Sequence, residues 1–298
     1  MDFQKIVDRW LYPKDFIPFL KKVYDGLVDY LGKEHERVIY EAILNTKFVF
    51  NKSVVDALTD EDMLEVNDMI SYGDLQRSSG VYESLPSISF INGEYQIQQV
   101  KRIVVVKSFD QNHSSSVGTF IHELGHLIKG YYQEYELDGD ILKKRSGFMV
   151  ETYQLKEDKG EVKRTLIAKE NTGLEEGFNS YFEEEFMKKY FDSHYEALGY
   201  GGIRISVAQM LDKLGMKEEL IEADLEKDFS IFLRLMEDEE LKDLSSIFDR
   251  IYECDLGLIK NMMNKEVYEQ IVKQRNELIF KDYLALYNKM KEKRNRGL

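Results

Sequence analysis

Cysteine, proline and histidine are scarce in this 298-residue chain, with one, three and five residues respectively. The lone Cys254 excludes an intrachain disulfide and a cysteine-ligated metal cluster. Such usage fits a reducing compartment, and the expected location is cytoplasmic. Few prolines and no low-complexity tract leave no long linker, and no internal repeat is evident. No run approaches the ~20 apolar residues that a membrane helix needs, and the N-terminus lacks the basic-then-apolar profile of a signal peptide, so no membrane partner is expected. Positive charge is also short: 41 Lys and Arg face 55 Asp and Glu, for a net charge of −14. That balance argues against nucleic acid, and the locally basic stretch from Lys289 to Arg296 reads as a solvated helix end. An acidic surface favours neutral or basic peptides. The 43% of hydrophobic residues suffices for a full core, in one large domain or two packed lobes.

Against this plain background, two of the five histidines stand in His122-Glu123-Leu124-Gly125-His126. Residues four apart share one face of a helix, so both imidazoles can converge on one metal ion. Glu123 follows the first of them and can reach a water on that metal as a general base. Ahead of the motif, Ile103-Val104-Val105-Val106 reads as a buried strand. The polar turn Asp110 to Ser116 then offers several N-caps. Phe120, Ile121, Leu124, Leu127 and Ile128 make the motif helix a buried one with the histidines on its polar stripe, and Gly130 is a plausible stop. Gly125 costs a helix roughly 1 kcal/mol, which close packing against another backbone would justify.

A catalytic zinc site normally has three protein ligands and an open position. The best source of the third is Asn171-Thr172-Gly173-Leu174-Glu175-Glu176-Gly177-Phe178, where Asn171 or Thr172 can cap a helix with an acidic first turn. Leu174-Glu175-Glu176-Gly177-Phe178 resembles the glutamate-helix motif of gluzincin metallopeptidases. A strand, HExxH, an intervening hairpin, a glutamate helix and a later helical stretch from Ile205 to Asp228 together resemble bacterial gluzincin-like proteins over roughly residues 100 to 230. The resemblance implies Glu176 as the third zinc ligand, with Glu175 a rival one step of helix rotation away. It also implies an edge strand that binds extended peptide. The distance from His126 to Glu176 is wider than in thermolysin-like and aminopeptidase groups and nearer to that of proteins resembling anthrax lethal factor, so substrate class does not transfer.

Within that wider gap, Phe148–Leu155 and Glu161–Ala168 flank Glu157-Asp158-Lys159-Gly160 and read as a β-hairpin. It is either a wall over the cleft, with Tyr153 a possible substrate contact, or a solvated hairpin. The ring N–H groups of the two histidines need acceptors, and Asn179, Ser180 and Glu183 lie near the face of Glu176, with Asn179 the preferred one. On bound zinc, water ionises near pH ~7, and Glu123 would pass its proton to the leaving amine. The oxyanion donor is not assigned; His194, Tyr195, Tyr200 and His113 are the nearby candidates, and His35 has no role.

The expected fold class is α+β: a zincin-like small mixed sheet with a metal-bearing helix, and mostly helical N- and C-terminal parts. Helical spacing runs from Phe3 to about Leu44, punctuated by Pro13 and Gly32. A short helix follows up to Ile70, with Thr59 as its N-cap and Asp60, Glu61 and Asp62 in its first turn. Ser87–Ile91, Asn92-Gly93 and Tyr95–Val106 suggest a hairpin. From Ile205 to about Tyr287 several amphipathic helices have acidic connections such as Glu237 to Glu240. The expected organisation is a helical region 1–80, a catalytic core 81–190 and a helical region 191–298. The leading functional expectation is a Zn2+-dependent peptidase with His122, His126 and Glu176 as ligands and Glu123 as base, acting on a peptide or protein substrate. The alternatives are an inactive zincin-like binding or regulatory protein that uses zinc structurally, and a helical interaction protein with an accidental motif. Composition leaves the oligomeric state open.

Overall fold

The computed structural model describes residues 1–10, 14–63, 75–76, 78–197, 206–207, 213–215, 217–225 and 239–295. Among them the fold is mixed α plus β with two small sheets. Pro13, Ile70, Tyr200, the Gly201-Gly202 pair and much of the stretch from Ile205 to Asp238 lie outside the described residues.

Three helices open the chain: α1 (Phe3–Trp10), α2 (Phe16–Leu31) and α3 (Glu36–Leu44). Gly32 separates the last two at φ 105°, a conformation that side chains resist. Strand β1 (Lys47–Phe50) and helix α4 (Val54–Asp60) follow. The expected cap at Thr59 is corrected here. Helix α4 is capped six residues earlier, where Ser53 accepts from the Asp56 N–H, and Thr59 sits in its last turn donating to the Val55 carbonyl. Residues 64–70 of the expected helix lie outside the described residues. Burial of Val54, Val55, Ala57 and Leu58 decides between the two start signals.

Strands β2 (Gly80–Ile91) and β3 (Glu94–Val106) form a long hairpin, its turn made by Asn92 and Gly93 at φ 55° and 89°. The sequence places this turn correctly, although β2 starts seven residues ahead of the expected Ser87. β1 pairs parallel with β3, from Lys47 opposite Ile103 to Phe50 opposite Val106, so the sheet is mixed with order β1-β3-β2. β1 lies inside the segment expected to be helical; four residues carry too little pattern to reveal a parallel, non-local pairing.

Helices cover both faces of β3, and this explains its unbroken apolar run. Val104 and Val106 join the main core with α2, α3 and helix α5 (Ser114–Ile128), while Ile103 and Val105 pack with α4. Phe16, Phe19, Phe48, Phe50, Phe109 and Phe120 form an aromatic cluster beneath α5, with ring centroids from 4.5 Å for Phe50–Phe109 to 6.4 Å for Phe16–Phe120.

Between α5 and the next helix the chain builds a four-stranded antiparallel sheet, β4 (Tyr135–Asp138), β5 (Ile141–Ser146), β6 (Met149–Asp158) and β7 (Glu161–Glu170), in sequential order. The expected hairpin is its β6–β7 half, turning at Lys159 and Gly160 (φ 57° and 88°). The β4–β5 half is unanticipated. Helix α6 (Thr172–Tyr190) then runs between two cores: Phe182, Phe186 and Met187 face the first, and Leu174, Phe178 and Tyr181 face a second. That second core holds α7 (Lys217–Leu225), α8 (Glu239–Lys260), α9 (Lys265–Glu277), a π-helical turn at Leu278–Tyr283 and α10 (Leu284–Asn295).

The N-terminus of α6 is capped from outside. Asn171 occupies the cap position at φ 61°, but its side chain accepts from Ser245, and Asp249 of α8 takes the N–H groups of Asn171 (3.2 Å) and Gly173 (2.6 Å). The expected cap by Asn171 or Thr172 is thereby corrected. A Cβ on Gly173 would overlap the backbone of Phe248 and Asp249. Gly173→Ala is therefore expected to destabilise the protein by roughly 1–3 kcal/mol, the usual penalty of overpacking, read as a lower urea midpoint at unchanged slope.

Candidate metal centre

Helix α5 carries the HExxH sequence across its last turns, starts at Ser114 and ends at Ile128, with Lys129 as its C-cap and Gly130 in the left-handed conformation (φ 74°). His113 holds the cap position without a side-chain bond. Ten α5 residues are buried, Glu123 and His126 among them. Helix α6 lies across it, and the approach explains Gly125. A Cβ there would overlap the side-chain oxygen of Asn179, whose amide donates to the His122 carbonyl at 2.6 Å.

The two helices bring three donors together. Glu176 Oε2 stands 3.4 Å from His122 Nε2 and 3.7 Å from His126 Nε2, and one donor atom from each residue lies within 4.8 Å of the other two. Tetrahedral ligands at zinc distances of ~2.0–2.1 Å are separated by roughly 3.3 Å, so the donor set and its spacing fit such an ion with little adjustment. His122 and Glu176 remain 14% and 15% exposed, enough for a small ligand to reach them.

Each imidazole has its other nitrogen fixed. His122 Nδ1 is 3.0 Å from Glu183 Oε2, and His126 Nδ1 is 2.9 Å from Glu175 Oε1. The preference for Asn179 as acceptor is corrected: its oxygen faces Gly125 and has no hydrogen-bond partner, nor does the Ser180 hydroxyl. Glu175 also separates clearly from Glu176. Its fully buried carboxylate accepts from Lys129 Nζ at 2.5 Å and the Phe148 N–H at 2.9 Å, so it faces away from the three-donor cluster. Gly147, at φ 56°, leaves room for that carboxylate. Adjacency to Glu176 was its only sequence signal, and Lys129 gave none.

Tyr195 is corrected as an oxyanion candidate. Its buried hydroxyl donates to Glu183 and so supports the acceptor of His122. His194 is exposed, with its backbone N–H on Asp192, and His113 bonds Ser115. Tyr200 lies outside the described residues, and His35 begins α3 without a cap bond.

Electrostatics follow from burying acids beside bases. Burial alone would lower both imidazoles, but Glu176 and Glu183 hold His122 well above the usual histidine range, and Glu176 and Glu175 raise His126. Burial would raise Glu176, yet the two histidines pull it far below the ordinary carboxylate value. Glu175 is likewise lowered despite burial, by Lys129 and His126. Glu123 goes the other way: burial pushes it up, partly offset by the imidazoles and by the Tyr82 backbone N–H. A carboxylate raised in this manner is a stronger base than an ordinary glutamate.

No protein-family model, curated protein or solved structure matches this chain. Its function is therefore argued from the geometry of the site.

Stability without metal should carry the sign of these shifts. Depressed carboxylates contribute stability that is present above their ordinary 4.5 and lost on acidification. Raised imidazoles contribute stability that is full below 6.5 and lost as pH rises through their elevated values. Chelator-treated protein is expected to melt highest at about pH 5–6.5 and progressively lower toward pH ~9. Zinc should stabilise it increasingly over the same rise, because metal needs neutral imidazoles. A metal-free melting temperature that climbs on the alkaline side would contradict this charge arrangement.

Proposed function

We propose that the chain is a zinc-dependent peptidase of zincin-like architecture, similar to the gluzincins, which hydrolyses peptide bonds in a peptide or protein substrate. The observation that carries this reading is the convergence of His122 Nε2, His126 Nε2 and Glu176 Oε2, with the buried Glu123 one residue from the first ligand. Three protein donors suit a catalytic zinc, whereas a structural zinc is normally closed by four.

Zinc bound by these residues supplies Lewis acidity toward a water and a substrate carbonyl. The chain's own side chains supply orientation and proton transfer. Glu175 and Glu183 hold the two rings in the tautomer that leaves Nε2 as a lone-pair donor, and Tyr195 and Lys129 hold those carboxylates in turn. Glu123 takes the proton from the attacking water and returns it to the leaving amine. Its raised pKa matches both halves of that task better than an ordinary glutamate would.

Charge supports a cation here as well. Glu123, Glu175, Glu176 and Glu183 gather around the two imidazoles, and the lysine that pairs with this group among the described residues is Lys129, on Glu175. A divalent ion offsets two of the three excess negative charges without protonating either imidazole.

Metal content by mass spectrometry and cleavage of a peptide library test the proposal. Wild type is expected to hold one zinc per chain and to cleave. Glu123→Gln should keep the zinc and lose about 10²–10⁴-fold in kcat, the usual worth of a general base. Glu176→Ala should lose zinc far more severely than Glu175→Ala, which is expected to cost about 10–100-fold in affinity through loss of ring orientation. Zinc binding without hydrolysis in wild type would leave a zincin-like binding protein. Absence of zinc binding after reconstitution would end the metal reading altogether.

A further inference from the structure

The inserted β4–β7 sheet does not lie idle in solvent. Its inner face and strand β2 enclose a cleft of about 500 Å³, within the ~300–1,000 Å³ range of ligand sites. Among the described residues the cleft is lined by residues 83–86 of β2, by parts of β4, β5, β6 and β7, and on a further side by Leu58 of α4, Met63 and Leu75. β2 joins it to the metal centre: a Cβ on Gly80 would sit 3.0 Å from Glu123 Oε1, and Glu83 follows three residues later. The Tyr82 N–H faces the Glu123 carboxylate, and Leu85, the first apolar β2 residue of the cleft, lies three residues further on, about 10 Å along the strand at ~3.3 Å per residue.

Most of the charged and hydroxyl groups that line the cleft are already committed. Lys144 pairs with Glu83 and lies 3.7 Å from Glu151, which also meets Lys169 at 3.3 Å and the Tyr153 hydroxyl at 2.9 Å. Tyr135 and Ser84 bond each other at 2.8 Å, and Lys163 pairs with Asp158. A charged ligand would have to break one of these pairs. What the lining leaves for a ligand is aliphatic, chiefly Leu85, Leu142, Val162 and Leu166.

The backbone edge of β2 is committed too. The Ser84 N–H is taken by Glu83 Oε1 at 3.0 Å, the Tyr82 N–H faces the Glu123 carboxylate, and Pro86, on the same side of the strand, has none. Simple addition of another strand therefore lacks donors along this stretch.

Resting on the peptidase reading above, we infer that this cleft is a specificity subsite which takes a large apolar side chain of the substrate, three or more residues from the scissile bond. Recognition there runs through the side chain and not through strand addition to β2.

Two readouts on the full chain test this separately from hydrolysis. The first profiles cleavage of a random peptide library by wild type and Val162→Lys. Wild type is expected to prefer large apolar residues at a position three to six from the cut, and the variant to lose about tenfold of that preference. The second uses Glu123→Gln and an extended peptide bearing a photoreactive leucine, with crosslinks mapped by mass spectrometry and a free photoreactive leucine as control. Crosslinks on β2 residues 83–86, β5 or β7 would support the inference even if no cleavage were seen, and would then count against hydrolysis alone. Cleavage with no apolar preference at those positions, or crosslinks mapping elsewhere, would overturn the subsite and leave the peptidase. Neither cleavage nor crosslinks would overturn both.

Discussion

The close contact of α5 and α6 at Gly125 is the constraint on which the rest of the molecule turns. With no side chain at that point, Asn179 can lie flat against α5 and bond the His122 carbonyl. That contact sets the rotation of both helices about their axes. The rotation decides that Glu176 meets the two Nε2 atoms, that Glu175 passes beneath His126, and that Glu183 reaches His122. The helix-interior cost of glycine, about 1 kcal/mol, is small beside the several buried charged contacts that depend on this alignment. α6 is itself gripped by both apolar cores, so its rotation has no freedom to relax.

Burying this many ionisable groups is costly unless each has a partner. The arrangement meets that demand by pairing in depth: Tyr195 with Glu183, Glu183 with His122, Lys129 with Glu175, Glu175 with His126. Only Glu123 and Glu176 aim into the shared space, and they are shifted in opposite directions. Two carboxylates in one small site thus acquire different roles from their surroundings alone. Glu176, flanked by imidazoles, stays an anion suited to hold a cation; Glu123, more fully desolvated than compensated, is the one suited to carry a proton.

The readable part of the site was the part governed by local geometry. A spacing of four places His122 and His126 together on any helix, and a resemblance pointed to Glu176, which the fold brings to both. The acceptors of the ring N–H groups depend instead on how two helices are turned against each other. Glu175, Asn179 and Glu183 are four residues apart on one face of α6, so spacing reached Glu183 as a candidate but could not rank it above Asn179. The same division holds in the fold. The Asn92-Gly93 and Lys159-Gly160 turns were plain, because left-handed backbone needs those residue types. β5 was not, because Lys143, Lys144 and Arg145 carry no strand pattern of their own and are held by Glu136, Glu83 and Gln133 from elsewhere in the fold. Thr59 was read as a cap from its acidic successors, but burial of Val54, Val55, Ala57 and Leu58 starts the helix at Ser53 instead.

β5 also explains why the inserted sheet faces the metal-bearing half of the molecule instead of forming a free-standing flap. Lys144 is desolvated there, which alone would lower its pKa, and Glu83 and Glu151 more than compensate. Those two acids come from different sheets, so one buried cation ties the insert to β2. Glu83 simultaneously occupies the Ser84 N–H, so the same side chain that clamps the sheets together removes a donor from the exposed edge. An edge protected in this way resists pairing with stray strands. For the proposed peptidase the protection has a consequence: with donors along β2 used internally, discrimination near Glu123 would rest on side-chain shape and apolar contact in the adjoining cleft.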